Sequence, residues 1–405
     1  MIQNPSNARK YSRFLPSQLD NLFAALQRDG YKIIGPTVAE GVIVFREISC
    51  PKALPRGWRE TQGAGHYSLK QLESSSDPAG PYFAHHNGPD SARAWFLPQK
   101  QKLWSAERHP ETPSDYSIFF PPEKAQHRDT KLAFIGLRAC DLNAIAIQDR
   151  VYLHDKYTQT NYAAGRENTL IVTINCISHA ETCFCTSMQA GPEAKSGFDL
   201  ALTEIYESDA DHYFVAKSGS AAGQSLLNEL TTQAASANDI KTAKDKIAAN
   251  EKAMPTHDFS GIPAAMKHQP DHPAWDTIAD HCLACANCTL VCPTCFCTTV
   301  EDTTDLTGNT TERWLHWDSC FNEGHSYIHG GKIHGDISSR YRQWASHKFS
   351  SWHDQFGESG CVGCGRCIAW CPAGIDIRET AQHFITPAET SDAVAHTHGS
   401  NQKGE

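Results

Sequence analysis

The spacing Cys-x-x-Cys-x-x-Cys-x-x-x-Cys-Pro occurs twice in this 405-residue chain, at Cys282, Cys285, Cys288, Cys292 and Pro293, then at Cys361, Cys364, Cys367, Cys371 and Pro372. Three thiolates on one tight loop, with a fourth one turn further on, suit a soft metal centre. Each proline ends the turn behind the fourth cysteine, and Gly363 and Gly365 ease the second loop. Structural zinc usually takes two Cys-x-x-Cys knuckles across a longer spacer, which three closely spaced cysteines fit poorly.

The spacing is that of two-cluster [4Fe–4S] carriers, in which the fourth cysteine of each run reaches across to the other cluster. The expected sets are Cys282, Cys285, Cys288 and Cys371 for one cluster, and Cys292, Cys361, Cys364 and Cys367 for the other. This predicts a C-terminal α+β, bacterial dicluster ferredoxin-like domain over 276–385, with a long insertion (298–357) between its cysteine runs.

Sixteen cysteines in all make compartment the next question. The stretch Met1–Pro16 has no apolar signal-peptide core, and no run approaches the roughly 18 apolar residues that span a bilayer. A cytoplasmic, reducing location is expected, where structural disulfides are rare and metal ligation is the default use of clustered cysteine. The net charge of −10, without a Lys/Arg cluster, excludes nucleic acid as a default partner.

Upstream, residues 1–253 read as an α/β domain. Ser17–Arg28 has helical apolar spacing, Tyr31–Ile34 and Val42–Ile48 read as strands around a Pro36–Gly41 turn, and 49–130 reads as loop. Leu132–Leu137 and Thr169–Asn175 are apolar strands with a helix Leu142–Leu153 between them, capped by Asp141, which makes a βαβ unit. His212–Lys217 adds a strand, and Leu226–Asn250 is helical with a break near Ala234. Residues 254–275, with four prolines and no periodicity, read as a linker or covering loop, and the small polar stretch 386–405 as a disordered tail.

Eight cysteines remain. Cys140 and Cys176 each follow a strand, Cys140 beside a helix N-terminus that favours thiolate or anion, and Cys183-Phe-Cys185 follows closely. These four suit a third [4Fe–4S] centre; buried free thiols are the alternative. Cys295, Cys297 and Cys320 suit either packing beside the clusters or a further site with a non-cysteine ligand, and Cys50 has no neighbour. The 21 histidines are scattered and read as surface residues. Trp314, Trp317, Trp344 and Trp352 read as packing around the clusters. Arg340, Arg342 and Lys348 suit either tuning of a cluster and docking, or plain surface.

Several stretches together carry a resemblance: Cys282-Leu-Ala-Cys-Ala-Asn-Cys288, Cys292-Pro-Thr-Cys-Phe-Cys297, Trp317-Asp-Ser-Cys320, Arg340-Tyr-Arg342 with His347-Lys348, Cys361-Val-Gly-Cys-Gly-Arg-Cys367, Gly136-Leu-Arg-Ala-Cys-Asp141 and Asn175-Cys176. From about residue 94 to 385 the chain resembles the 4Fe–4S dicluster family that includes the beta subunit of cytoplasmic [NiFe] sulfhydrogenase and the iron–sulfur subunit of anaerobic sulfite reductase. The resemblance implies an electron-transfer subunit that links the catalytic subunits of a [NiFe] hydrogenase to a flavin/NAD(P)-binding subunit. The same relay beside a sirohaem sulfite reductase subunit is the alternative. A cluster-based redox sensor is a third class, disfavoured because no DNA-binding or effector domain is recognisable. The chain has no GxGxxG after a strand for its own dinucleotide, since Gly63-Ala-Gly65 stands in an unsuitable loop.

Overall fold

The computed structural model describes residues 11–72, 80–112, 114–120, 130–154 and 156–385; the expected tail at 386–405 lies outside them. In chain order the strands are β1 (Ser12–Phe14), β2 (Tyr31–Ala39), β3 (Val42–Glu47), β4 (Trp58–Gly63), β5 (His66–Gln71), β6 (Lys100–Arg108), β7 (Tyr116–Phe119), β8 (Lys131–Leu137), β9 (Thr169–Ile174), β10 (Leu200–Ser208), β11 (Asp211–Ser218), β12 (Gln233–Ala234), β13 (Thr298–Thr304), β14 (Thr310–Trp317), β15 (Tyr327–Ile328) and β16 (Gly331–Lys332). The helices are α1 (Leu19–Arg28), α2 (Arg93–Phe96), α3 (Ala139–Tyr152), α4 (Thr160–Glu167), α5 (Ala221–Asn228), α6 (Ala237–Ala253), α7 (Ile262–His268), α8 (Ala274–Ala279), α9 (Asn287–Leu290), α10 (Ile337–Ser346), α11 (Trp352–Phe356), α12 (Arg366–Ala369) and α13 (Ile377–Gln382).

An eight-stranded sheet, ordered β12-β1-β11-β10-β9-β8-β2-β3, forms the heart of the N-terminal half. Its four middle strands, β10, β9, β8 and β2, run parallel. Strand β8 shows why such strands read as unbroken apolar runs. Ala133 and Ile135 enter one core with Leu22, Phe23 and Val172, while Leu132 and Phe134 enter the opposite core with Leu142, Ile145 and Tyr162. Both faces of the strand are covered, so alternation disappears.

Helix α3 starts three residues earlier than its apolar pattern suggests. Arg138 is the N-cap, and Asp141, expected as the cap, is the third helical residue, its carboxylate accepting from the Arg138 N–H at 3.0 Å. Cys140 therefore lies within the first turn. Pro36 also departs from expectation, sitting inside β2 opposite Phe45. Strand β8 pairs only with Tyr31–Ile34, so no ladder donor is missed at Pro36.

The stretch 49–130 is not loop alone. It holds the β4–β5 hairpin and strands β6 and β7, and β6 pairs along its length with β14 from the insertion. The result is a second sheet, β13-β14-β6-β7, drawn from both halves of the chain. Residues 254–275 carry α7 and the start of α8, and Phe259, Ile262, Met266 and Trp275 pack into the core that surrounds the C-terminal cysteines. Prolines interrupt the periodicity there without preventing burial. That core also takes Phe321, Tyr341, Trp344 and Phe349 from the insertion.

Candidate metal centres

The two cysteine runs fold alike. In each, the second residue after the first cysteine and the residue after the second cysteine have positive φ: Ala284 (48°) and Ala286 (65°) in one, Gly363 (63°) and Gly365 (76°) in the other. Each loop then enters a single helical turn, α9 or α12. Backbone N–H groups turn inward to sulfur, from Ala284 to Cys282 Sγ and from Gly363 to Cys361 Sγ, both at 3.4 Å. Ile375 N–H donates to Cys371 Sγ at the same distance. Donors aimed at thiolate are the hydrogen bonds that iron–sulfur sites use to set their potentials.

The fourth cysteine of each run faces the other run. Cys282, Cys285, Cys288 and Cys371 line one cavity, together with Tyr341, Trp344 and Cys367 of the second run. Cys292 interacts electrostatically with Cys361, Cys364 and Cys367, and also with Cys288. The cavity fits an anionic sulfide-bearing group. Trp344 lines it with a buried indole N–H that has no partner among the described residues, and a donor so placed asks for an acceptor. Among the described residues, no three His, Cys, Asp or Glu side chains form a single-ion site. A cubane binds each thiolate to a different iron and needs wider spacing than one tetrahedral ion does.

Why one run uses alanine where the other uses glycine follows from what covers them. A Cβ on Gly363 would lie 2.6 Å from the Phe184 carbonyl, and one on Gly365 would lie 2.4 Å from the Thr182 carbonyl oxygen. The Thr182–Cys185 loop is thus laid directly on the second run, and Phe184 N–H donates to Gly363 O at 2.9 Å. The first run is more open: Cys285 is exposed, Leu283 is 66% exposed and Leu290 46%. Replacing Gly365 by Ala should therefore cost about 3 kcal/mol or more, through overpacking against backbone at a left-handed position. Ala286→Gly, at the matching position, should be nearly neutral. Thermal unfolding of the two variants checks this, and an equal effect of both would contradict it.

The cysteines of the α/β half lie against this second run. Cys140, Cys183 and Cys185 share one packed core with Val362, Cys364 and Trp352, and Cys176 interacts electrostatically with Cys183 and Cys185. Asn250 of α6 fixes the Cys176 segment, donating to the carbonyls of Cys176 and Ser178 at 3.0 Å each. Two polar side chains address the sulfurs: buried Asn87 donates to Cys140 Sγ at 3.3 Å, and the Arg138 guanidinium, held by the Phe83 and His85 carbonyls, interacts electrostatically with Cys176. Plain core thiols do not require such donors. Burial pushes the Cys183 and Cys361 thiols up to about 12. They are neutral when metal-free, and a bound metal deprotonates them outright.

Between Cys364 and Cys140 stands Arg366, fully buried, bonded to Asp141 Oδ1 at 2.8 Å and to the Gly88 carbonyl at 3.1 Å. Its Nη1 has no partner among the described residues. On the other side of Cys292 is Lys348, also buried, its Nζ 2.6 Å from Thr294 Oγ1. Contact with the Cys295 thiol, helped by this ammonium, holds the Cys292 thiol well below its usual range. Cys297 and Cys320 form a second thiol pair, which holds Cys297 down to about 6. Arg366 sits inside the Cys364-Gly-Arg-Cys367 loop and could have been singled out by that position; Asn87 lies in a stretch with no pattern to mark it.

A family profile for the 4Fe-4S dicluster domain matches residues 281–375, the span of both runs. The chain is 31% identical over 258 residues to sulfhydrogenase 2 subunit beta of Pyrococcus furiosus, a match covering 61% of this chain and 72% of that protein. The chain belongs to this family of iron–sulfur subunits. No solved structure matches it significantly. Membership agrees with the mixed α/β architecture and the C-terminal 4Fe–4S domain, and assigns the chain an iron–sulfur electron-transfer role. No helix among the described residues is long and apolar enough to cross a membrane.

Proposed function

We propose that the chain is the electron-relay subunit of a cytoplasmic, NAD(P)-linked [NiFe] hydrogenase, standing between the hydrogenase small and large subunits and a flavin/NAD(P)-binding subunit. Cys282, Cys285, Cys288 and Cys371 hold the first [4Fe–4S] cluster, and Cys292, Cys361, Cys364 and Cys367 the second. Cys140, Cys176, Cys183 and Cys185 hold a third. When bound, these groups supply one-electron carriers and no bond-making chemistry.

The observation that carries this reading is the contiguity of the three thiol sets, Cys367 beside Cys288 and Cys364 beside Cys140, Cys183 and Cys185. The first is open to the surface at Cys285 and Leu283. The second is interior, and the third packs behind it through Cys364. The chain's own residues then have separable tasks: the inward-turned N–H groups, Asn87 and Arg138 stabilise sulfur charge, while Trp344, Phe321 and Tyr341 keep water from the first cavity. Contiguous thiol sets are what a relay requires, since electrons enter from one partner and leave to the other.

Anaerobically purified chain should hold about twelve iron and twelve acid-labile sulfides, four per set. Replacing both Cys183 and Cys185 by Ser should bring the count to about eight. An unchanged count would reduce the α/β cysteines to packing residues, and stoichiometric zinc with little iron would overturn the assignment altogether.

A further inference from the structure

Lys348 is a buried cation beside the second cysteine set that no carboxylate among the described residues neutralises; buried Arg93 also lies there, but its guanidinium is spent on the Thr289 and Cys292 carbonyls and lies over the Trp317 ring. The hydrogen-bonded neighbour of Lys348 is Thr294 Oγ1, and its electrostatic partners are Cys292, Cys295 and Cys361. An ammonium removed from water costs several kcal/mol unless an anion answers it. Among these neighbours, only sulfur can carry the answering charge.

The backbone is built to put it there. The helix that begins with α10 widens into a π turn over His347–Ser351 before continuing as α11, and π turns inside helices concentrate at functional sites. The Lys348 carbonyl is clamped by Gly360 N–H at 2.8 Å and Ser359 Oγ at 3.1 Å, directly before Cys361. Thr294 donates to Gly360 O at 2.8 Å and lies 3.2 Å from Cys292 Sγ. The ammonium is thereby tied both to the fourth cysteine of one run and to the approach to the other.

The other cations nearby do not play this part. Arg366 is matched by Asp141, so the pair brings no net charge to Cys364. At the first set, Arg340 is spent on the carbonyls of Phe321 and Asp336. We propose that Lys348 is the counter-charge of the cluster on Cys292, Cys361, Cys364 and Cys367, and that it raises that cluster's reduction potential above that of the cluster on Cys282, Cys285, Cys288 and Cys371. The inference rests on the two ligand sets given above. Reduction adds one negative charge to the cluster, and a fixed cation in a low-dielectric site favours that reduced form. Electrons then dwell on the interior cluster and leave through the exposed one.

The test is an EPR-monitored redox titration of the anaerobic, iron- and sulfide-loaded full chain, with the second cluster's wave identified as the one abolished by Cys361→Ala. Lys348→Gln and Lys348→Met should move that wave to lower potential and leave the other in place, while Lys348→Arg keeps both near the parent values. If both neutral variants lose the second cluster's iron and Lys348→Arg retains it, the counter-charge role is likewise supported. An unmoved second wave, an equal shift of both waves, or loss of the cluster in all three variants overturns the proposal. A parent chain with no iron at Cys361 would instead refute the ligand assignment, which the iron count shows before any titration.

Discussion

Cys371→Ala should remove the cluster that begins 89 residues earlier, at Cys282, and spare the one built on its own run. Cys371 lines the same cavity as Cys282, Cys285 and Cys288, with its sulfur held by the Ile375 N–H. In the proposed pairing Cys292 completes the set on Cys361, Cys364 and Cys367, where it has its own support from Thr294 and Lys348. Iron and sulfide should each fall by about four per chain, and the remaining reduced-state EPR signal should be that of the interior cluster. The mirror variant, Cys292→Ala, should remove the interior cluster instead. Loss of the Cys361-based signal in Cys371→Ala would refute crosswise ligation. Loss of both signals in each single variant would show that the two sites cannot be assembled separately.

Arg366→Met should be among the most destabilising single changes available in the chain. The guanidinium and the Asp141 carboxylate are 0% and 1% exposed, and removing one partner leaves the other charged and buried, a cost of about 3–5 kcal/mol. More is lost than the ion pair: Arg366 also binds the Gly88 and Asp90 carbonyls, and Asp141 holds the N-cap of α3 beside Cys140. The double variant Arg366→Met/Asp141→Leu removes both charges and should unfold at a higher temperature than Arg366→Met alone. If the double variant instead shows the sum of the two single losses, the pair is not coupled in the folded chain.

The cysteine runs, the parallel strands β8 and β9 and the break between α5 and α6 were legible because each is local: a spacing, an apolar run, a loss of period. What was not legible depends on partners far away in the chain. Strand β6 has no amphipathic signature of its own, and its ladder partner is β14, which lies in the insertion near the other end of the chain. Residues 254–275 looked like a linker because four prolines erase periodicity, yet Ile262, Met266 and Trp275 are buried. Asp141 was readable as a cap residue but not as the third helical residue, because its second role, binding Arg366, is tertiary. In the candidate site the cysteine spacing could be read in advance. The neighbours Asn87 and Thr294 could not, since a single amide or hydroxyl becomes informative only once a sulfur stands beside it.

The cover that the Thr182–Cys185 loop places over Gly363 and Gly365 has a bearing on how the chain is made and maintained. Iron and sulfide can be delivered to the first site after folding is complete, through the side where Cys285 is exposed. The second run is covered more closely: its Gly363 and Gly365 are pressed against backbone from the other half of the chain, at separations too short even for a methyl group, while Cys292, Cys361 and Cys367 stay partly exposed. On the ligand sets proposed above, its cluster should exchange iron more slowly than the first, because that cover has to shift before the loop can open. The first cluster would then be the one renewed more readily after oxidation.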